Sequence, residues 1–250
     1  MAKAKSDCKV YTVVSGKGGA GKSTVTCLLG TAFARQGYRT LLIDVDEGLR
    51  CLDLMLGVSE DIAFDLGDLL KGDCEAKDAI KPVPATKNLF LLPAPHSTGH
   101  VNEQLGELVT ALRGPFDRII IDSCAGVGYG FSAAIACADE VLAVVGCDPV
   151  SIRGARNVCE LLRDVSESKR RMIINRFDHK ASKRLRVPHI DNIIDSTAMQ
   201  LIGIVPYDPL LAAGAVNGSP ITKGHAWRAF VRIVHRLDGK NINLPKLNRI

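Results

Sequence analysis

With 250 residues, 46% of them hydrophobic, and a formal net charge of +5, the chain is long enough to bury one substantial core and carries a mild basic excess. No apolar run reaches 18 residues and the start lacks a basic-then-apolar leader, which argues against a membrane-spanning or exported protein and for the cytosol. The eight cysteines (Cys8, Cys27, Cys51, Cys74, Cys124, Cys137, Cys147 and Cys159) lack C-x-x-C metal spacing, and several sit in apolar runs as small core residues, so disulfides are not expected.

The first element is a β-branched run, Lys9 to Val14, which reads as a strand. It leads into SGKGGAGKST, Ser15 to Thr24, and then into a helical stretch, Ser23 to Gln36, with Val25, Leu28, Leu29 and Phe33 at helical spacing. In this strand–turn–helix context Gly16, Gly21, Lys22 and Ser23 satisfy the phosphate-loop pattern G-x-x-x-x-G-K-[ST]. Glycines at 16, 18, 19 and 21 let the backbone around Ala20 take up φ > 0 and turn its N–H groups inward, an anion nest at a helix N-terminus that extends to Thr24. Lys22 then reaches the β- and γ-phosphates, and Ser23 offers its hydroxyl to Mg²⁺. Lys17, directly after the first glycine, is a second lysine that an ordinary loop of this kind does not need.

Thr40 to Asp44 reads as a buried parallel strand and runs straight into Asp44-Val-Asp-Glu-Gly-Leu-Arg-Cys-Leu-Asp53. Two carboxylates beside phosphates, Asp44 and Asp46, are unfavourable without a metal, so the pair implies Mg²⁺. A strand over Asn88 to Leu92 and a helix over Val101 to Arg113 follow. Phe116 to Asp122 is another apolar strand ending in a carboxylate, with the glycine-containing turn Ser123 to Gly128 behind it. Further strand-like runs at Glu140 to Gly146, Arg171 to Arg176 and Leu201 to Pro206, with a helix over Ser151 to Asp164, complete an alternation that predicts a doubly wound, mostly parallel sheet with helices on both faces. Such folds place ligands at the carboxyl ends of strands, where these residues fall. No linker or repeat divides the chain, so residues 1–250 read as one domain, with a core of about 9–238 and a short basic tail, 239–250. His225 to Leu237 is amphipathic, with Trp227, Phe230, Val231 and Val234 opposite Arg228, Arg232 and His235, and reads as a final core helix. Basic residues concentrate in Lys169 to Arg186 and Lys223 to Ile250, with eight and seven Lys/Arg, clusters that attract anionic lipid or nucleic acid.

The doubled lysine of KGGAGKST resembles the deviant Walker A loop of the MinD/ParA family of P-loop ATPases, which have the SIMIBI type of this fold. The segment from Asp44 to Asp53 is similar to that family's switch I, in the DxDxGLRNLD form of its MinD branch, and Arg50 makes that distinction. The resemblance covers about residues 9 to 238. It implies an ATPase that binds ATP and Mg²⁺ and dimerises with a second copy of itself. Lys17 would reach the nucleotide of the opposite subunit, Asp46 would orient the attacking water, and Asp44 and Asp122 would support the Mg²⁺ beside Ser23. Gly126 would let switch II respond to the γ-phosphate. Asn175, in the strand-end Asn175-Arg176 pair, would read the adenine edge. Family members position the division septum or other cargo, act with a cell-division regulator or an ATPase-activating protein, and work in the cytoplasm or peripherally on the inner face of the membrane. Three departures stand out. Cys51 replaces an asparagine of switch I, Gly154 and Arg156 replace aspartates of a partner-binding stretch, and Pro245 interrupts the only apolar residues of the tail, where an amphipathic anchor is usual. A ParA-like DNA-binding partition or positioning ATPase is the nearest alternative. An iron–sulfur carrier or reductase component is another, through Cys124, although the nitrogenase iron protein needs two cysteines per subunit that this chain does not reproduce.

Overall fold

A computed structural model describes residues 7–47, 49–99, 101, 103–124, 129–179, 190–197 and 199–245. Gly126, the segment 180–186 and the tail residues Leu247 and Ile250, all singled out above, lie outside these described residues. The described strands are β1 (Lys9–Val14), β2 (Thr40–Asp44), β3 (Lys81–Pro82), β4 (Leu89–Leu92), β5 (Arg118–Asp122), β6 (Glu140–Val145), β7 (Arg170–Phe177) and β8 (Gln200–Pro206). They form one sheet in the order β3-β4-β2-β5-β1-β6-β7-β8, in which only the β3–β4 pair is antiparallel. The doubly wound sheet expected from the alternation is therefore present.

The helices are α1 (Lys22–Arg35), α2 (Leu52–Leu56), α3 (Leu66–Lys71), α4 (Ala76–Ala79), α5 (Gln104–Leu112), α6 (Tyr129–Ala136), α7 (Pro149–Leu161), α8 (Ile190–Thr197), α9 (Pro209–Val216) and α10 (Gly224–Leu237). Strands covered on both faces read as unbroken apolar runs, as Leu41-Leu42-Ile43 and Ile119-Ile120-Ile121 do, and every residue of β2 and β5 is buried. Their side chains alternate between two cores. Tyr11, Val13, Leu42 and Ile120 pack with Leu29 and Phe33 of α1 and with Phe230 and Ile233 of α10. Val10, Leu41, Ile43, Ile119 and Ile121 pack with Leu105 and Val109 of α5. Helices thus lie on both faces and leave the strand ends to carry the polar residues.

α10 is the core helix that its pattern predicts: Phe230, Ile233 and Val234 are fully buried. Gly203 of β8 makes room for it, because a Cβ there would come within 2.3 Å of Ile233 Cγ1. α7 starts two residues earlier than expected, because Asp148 caps it by accepting from the N–H groups of Val150 and Ser151 and Pro149 fits the first helical position. The basic run from Lys169 is in part internal wiring rather than a free cationic face. Arg170 donates to the carbonyls of Arg163 and Val165, Arg171 pairs with Glu140 at 3.1 Å, and Arg176 turns toward the glycine loop.

Candidate nucleotide site

β1 ends at Val14 and α1 begins at Lys22, so residues 15–21 make the turn. Gly19 (φ +77°) and Gly21 (φ +91°) hold left-handed backbone that a side chain would strain, and Gly21 is the residue from which α1 starts. Carbonyls of the loop are held from outside: Asn175 Nδ2 donates to Ala20 O at 2.9 Å, and the Arg176 guanidinium donates to Gly19 O at 3.1 Å. Among the described residues the N–H groups of Gly18, Gly19 and Ala20 have no backbone acceptor, which leaves them for an anion. The backbone of Arg176 sits at φ +56°, next to an irregularity in the β7–β8 register after Ile174. That conformation costs a non-glycine residue about 1–2 kcal/mol, offset here by the contact it brings to the loop. Gly16 rests against α7, where a Cβ would lie 2.0 Å from Gly154 O.

Asp44 and Asp122 are register partners at the carboxyl ends of β2 and β5. Asp122 is fully buried, and its Oδ1 accepts from Lys22 Nζ at 3.0 Å and from Thr26 Oγ1 at 3.1 Å. Lys22 Nζ also lies 3.7 Å from Asp46. Burial alone would lower the Lys22 pKa, but the adjacent Asp122 carboxylate more than compensates and raises it, so the ammonium stays charged. Asp44 accepts from the N–H groups of Asp46 at 3.0 Å and Leu52 at 3.2 Å, which folds switch I over the strand end. Burial, followed by the charge of Asp122, pushes Asp44 up to about 7. Burial also raises Asp46, against the pull of Lys22. Asp122 Oδ2 is buried with no hydrogen-bond partner. An orphaned carboxylate oxygen beside two further carboxylates, with the half-buried Ser23 hydroxyl one residue from Lys22, suits a hard divalent cation and its waters. Cys51 and Cys124 flank this cluster, and burial pushes both thiols up, which keeps them protonated rather than nucleophilic.

Lys17 lies apart from Lys22. Its Nζ is 3.1 Å from Asp148 Oδ1, the same oxygen that caps α7. Burial by itself would raise the Asp148 carboxyl, but the Ser151 hydroxyl and N–H and the Lys17 ammonium hold it at about 2. A depressed carboxylate contributes stability above its ordinary value near 3.8, and that contribution is lost as pH falls through about 2. Asp148→Asn should therefore melt below the parent by a constant margin at neutral pH, and the margin should shrink toward zero between about pH 4 and pH 2. A margin that stays constant across that range in scanning calorimetry would show that Asp148 makes no charge-dependent contribution.

The structure thus brings Gly16 to Thr24, Asp44, Asp46, Asp122, Asn175 and Arg176 together around one turn, and sets Lys17 at its rim. Asn175, expected at the adenine edge, is only 4% exposed and spends its amide on the loop. Several contributors went unread in the sequence. Thr26 was findable as the residue one helical turn after Lys22 on the same face of α1, and Asp148 as the cap of an Asp-Pro helix start. Glu47, which accepts from Val101 N at 2.7 Å and ties switch I to the loop before α5, left no local signal.

A strand–glycine loop–helix with a buried lysine–carboxylate cluster at the carboxyl end of a parallel sheet defines a P-loop nucleotide-binding protein. The family model for the CobQ/CobB/MinD/ParA nucleotide binding domain matches residues 11–221, and the chain belongs to that family. It is 36% identical over 241 residues to the septum site-determining protein MinD of Synechocystis, covering 94% of this chain and 91% of that one. Among solved structures, a MinC:MinD cell division protein complex from Aquifex aeolicus superposes with a TM-score of 0.89 at 34% identity, over 96% of this chain and 99% of that one. MinD complexed with Mg-ADP from Pyrococcus horikoshii superposes with a TM-score of 0.81 at 27% identity, over 92% and 96% of the two chains. Among the described residues no helix is long and apolar enough to cross a membrane.

Proposed function

We propose that the chain is a MinD-like, Mg²⁺-dependent ATPase of one domain that dimerises around two ATP molecules, separates on hydrolysis, and so acts as a spatial switch in cell division. The observation that carries this is the pair of lysines held on different carboxylates, Lys22 on Asp122 inside the site and Lys17 on Asp148 at its rim. Lys22 and the loop amides bind the β- and γ-phosphates. Ser23, Asp44 and Asp122 would hold Mg²⁺, which when bound neutralises charge between those phosphates. Asp46, half-buried and within reach of Lys22, accepts a proton from the attacking water and aligns it. Asn175 and Arg176 brace the loop from the adenine side. The Lys17 side chain, 40% exposed, is free to exchange Asp148 for the phosphates of a facing subunit.

The Aquifex relative was solved with MinC. A cell-division regulator is accordingly the partner class proposed here, together with a cytoplasmic location and peripheral contact with the inner membrane face. Arg153 and Arg156 are exposed on α7 with no partner among the described residues, so a regulator that docks on this helix needs acidic groups. The ParA-like reading rests on the basic segments and predicts ATP-dependent, salt-sensitive retention on DNA.

Lys17→Ala tests the proposal. The variant should bind ATP within about threefold of the parent, because Lys22 and the loop amides remain. It should stay monomeric in light scattering with Mg-ATP and lose at least about 100-fold in turnover, as removal of a lysine from a transferring phosphoryl group does. A variant that still dimerises and hydrolyses ATP would reduce Lys17 to a surface lysine.

A further inference from the structure

At the edge of the sheet opposite β3, α10 and the edge strand β8 frame a cavity of about 240 Å³ lined by Ile204, Pro206, His225, Arg228, Arg232 and Pro245. Its construction is specific. Arg236 donates to the carbonyl of Ile202 on β8 and to those of Ile242 and Asn243, at 2.7–2.8 Å, and so straps the chain after α10 back along the sheet edge. That strap sets Pro245 as the outer wall. The floor is apolar, Ile204 and Pro206, whereas the rim carries the cations Arg228 and Arg232, with His225 one turn before them.

Arg228 and Arg232 stand one turn apart on the same side of α10, at a spacing where two like charges repel. Both are exposed, His225 extends the row by a further turn, and none of the three has an acidic or hydrogen-bonding partner among the described residues. Four other arginines, Arg113, Arg118, Arg170 and Arg236, are by contrast spent on carboxylates or carbonyls. Two guanidinium forks over a small concave floor fit the oxygens of one phosphate group, each donating a pair of charge-assisted hydrogen bonds. The cavity is too small for a nucleotide-sized ligand with most of its surface enclosed, but it accommodates a headgroup.

We propose that this cavity is a second anion site, distinct from the nucleotide site, which binds a phosphate ester through Arg228 and Arg232 with His225 at its edge. The phosphate comes either from a lipid headgroup or from a free small molecule, and the apolar floor receives the carbon chain next to it.

The test uses the full chain saturated with Mg-ADP, so that the glycine loop is filled, and glycerol 1-phosphate as the probe in low-salt calorimetry. Binding should be seen for the parent and weaken by at least about tenfold in Arg228→Glu/Arg232→Glu, since each charge-assisted contact to phosphate lost is of that order. ATP turnover of the doubly substituted protein should match the parent, because neither residue touches the nucleotide site. Flotation with phosphatidylglycerol vesicles separates the two sources. Co-flotation lost in the variant identifies the headgroup, and glycerol phosphate binding without co-flotation identifies the free ester; both outcomes support the site. No binding of the probe, or binding that the double substitution leaves unchanged, overturns it. So does retention on duplex DNA that the substitutions abolish while glycerol phosphate fails to bind, which would assign the arginines to nucleic acid.

Discussion

Lys22→Ala is expected to reduce ATP affinity by at least about 100-fold, because in the proposed function the ammonium would make charge-assisted hydrogen bonds to two phosphates, each of about 1.5–3 kcal/mol. A second effect accompanies it. Lys22 is 7% exposed and is the cation paired with Asp122, which has no exposed surface, so removing it leaves an uncompensated carboxylate inside the sheet. Breaking a buried pair in this way costs about 3–5 kcal/mol, and the variant should melt well below the parent. Combining it with Asp122→Asn removes the stranded charge and should restore much of the melting temperature without restoring ATP binding. Calorimetric titration with Mg-ATP on both variants separates the two effects. Unchanged ATP affinity in the folded double variant would mean that the glycine loop is not the triphosphate site.

A single methyl group at Gly16 should come close to that loss of binding. An added Cβ would lie 2.0 Å from the Gly154 carbonyl oxygen, a backbone atom that cannot swing aside as a side chain can. Either the loop or the N-terminal half of α7 must move, and a shift of about 1 Å in a phosphate-binding backbone forfeits its alignment, at a cost of about 100-fold. Gly154→Ala should do the same from the other side, where the added Cβ would meet Gly16 O at 2.6 Å. Gly18→Ala is the control, with nothing within 4 Å of its added carbon. Equal ADP affinities for the three variants would show that α7 does not position the loop.

The parts of the site that were legible in the sequence are those in which function and local structure coincide. Lys9 to Val14 and Thr40 to Asp44 are strands with the predicted bounds, because full burial requires an apolar run and the site requires a turn directly after it. The glycine loop announces itself because only glycine holds φ near +80° to +90°, as Gly19 and Gly21 do. The illegible parts are contacts between residues far apart in the chain. Nothing near Lys17 indicates Asp148, 131 positions away, and nothing near Gly154 indicates that it packs backbone to backbone on Gly16. Arg50 holds left-handed backbone at φ +41° without being glycine, secured by its ion pairs with Asp53 and Asp65, and such tertiary compensation is invisible to local propensity. In the basic run from Lys169 the partners of Arg170 and Arg171 were likewise illegible, since charge counts do not reveal which arginines are spent on carbonyls or carboxylates.

Because Asp44 and Asp122 face each other across β2 and β5, the unliganded protein carries its electrostatic conflict at the middle of the sheet rather than on a dispensable edge. A magnesium–nucleotide complex that relieves this conflict adds about 2.7 kcal/mol to folding stability at a hundredfold excess over its dissociation constant. That increment lowers the unfolded population nearly a hundredfold, and proteases act on that population. Abundance of a nucleotide-binding chain of this kind would then follow the total supply of magnesium-bound nucleotide, and depletion would hasten its removal by degradation.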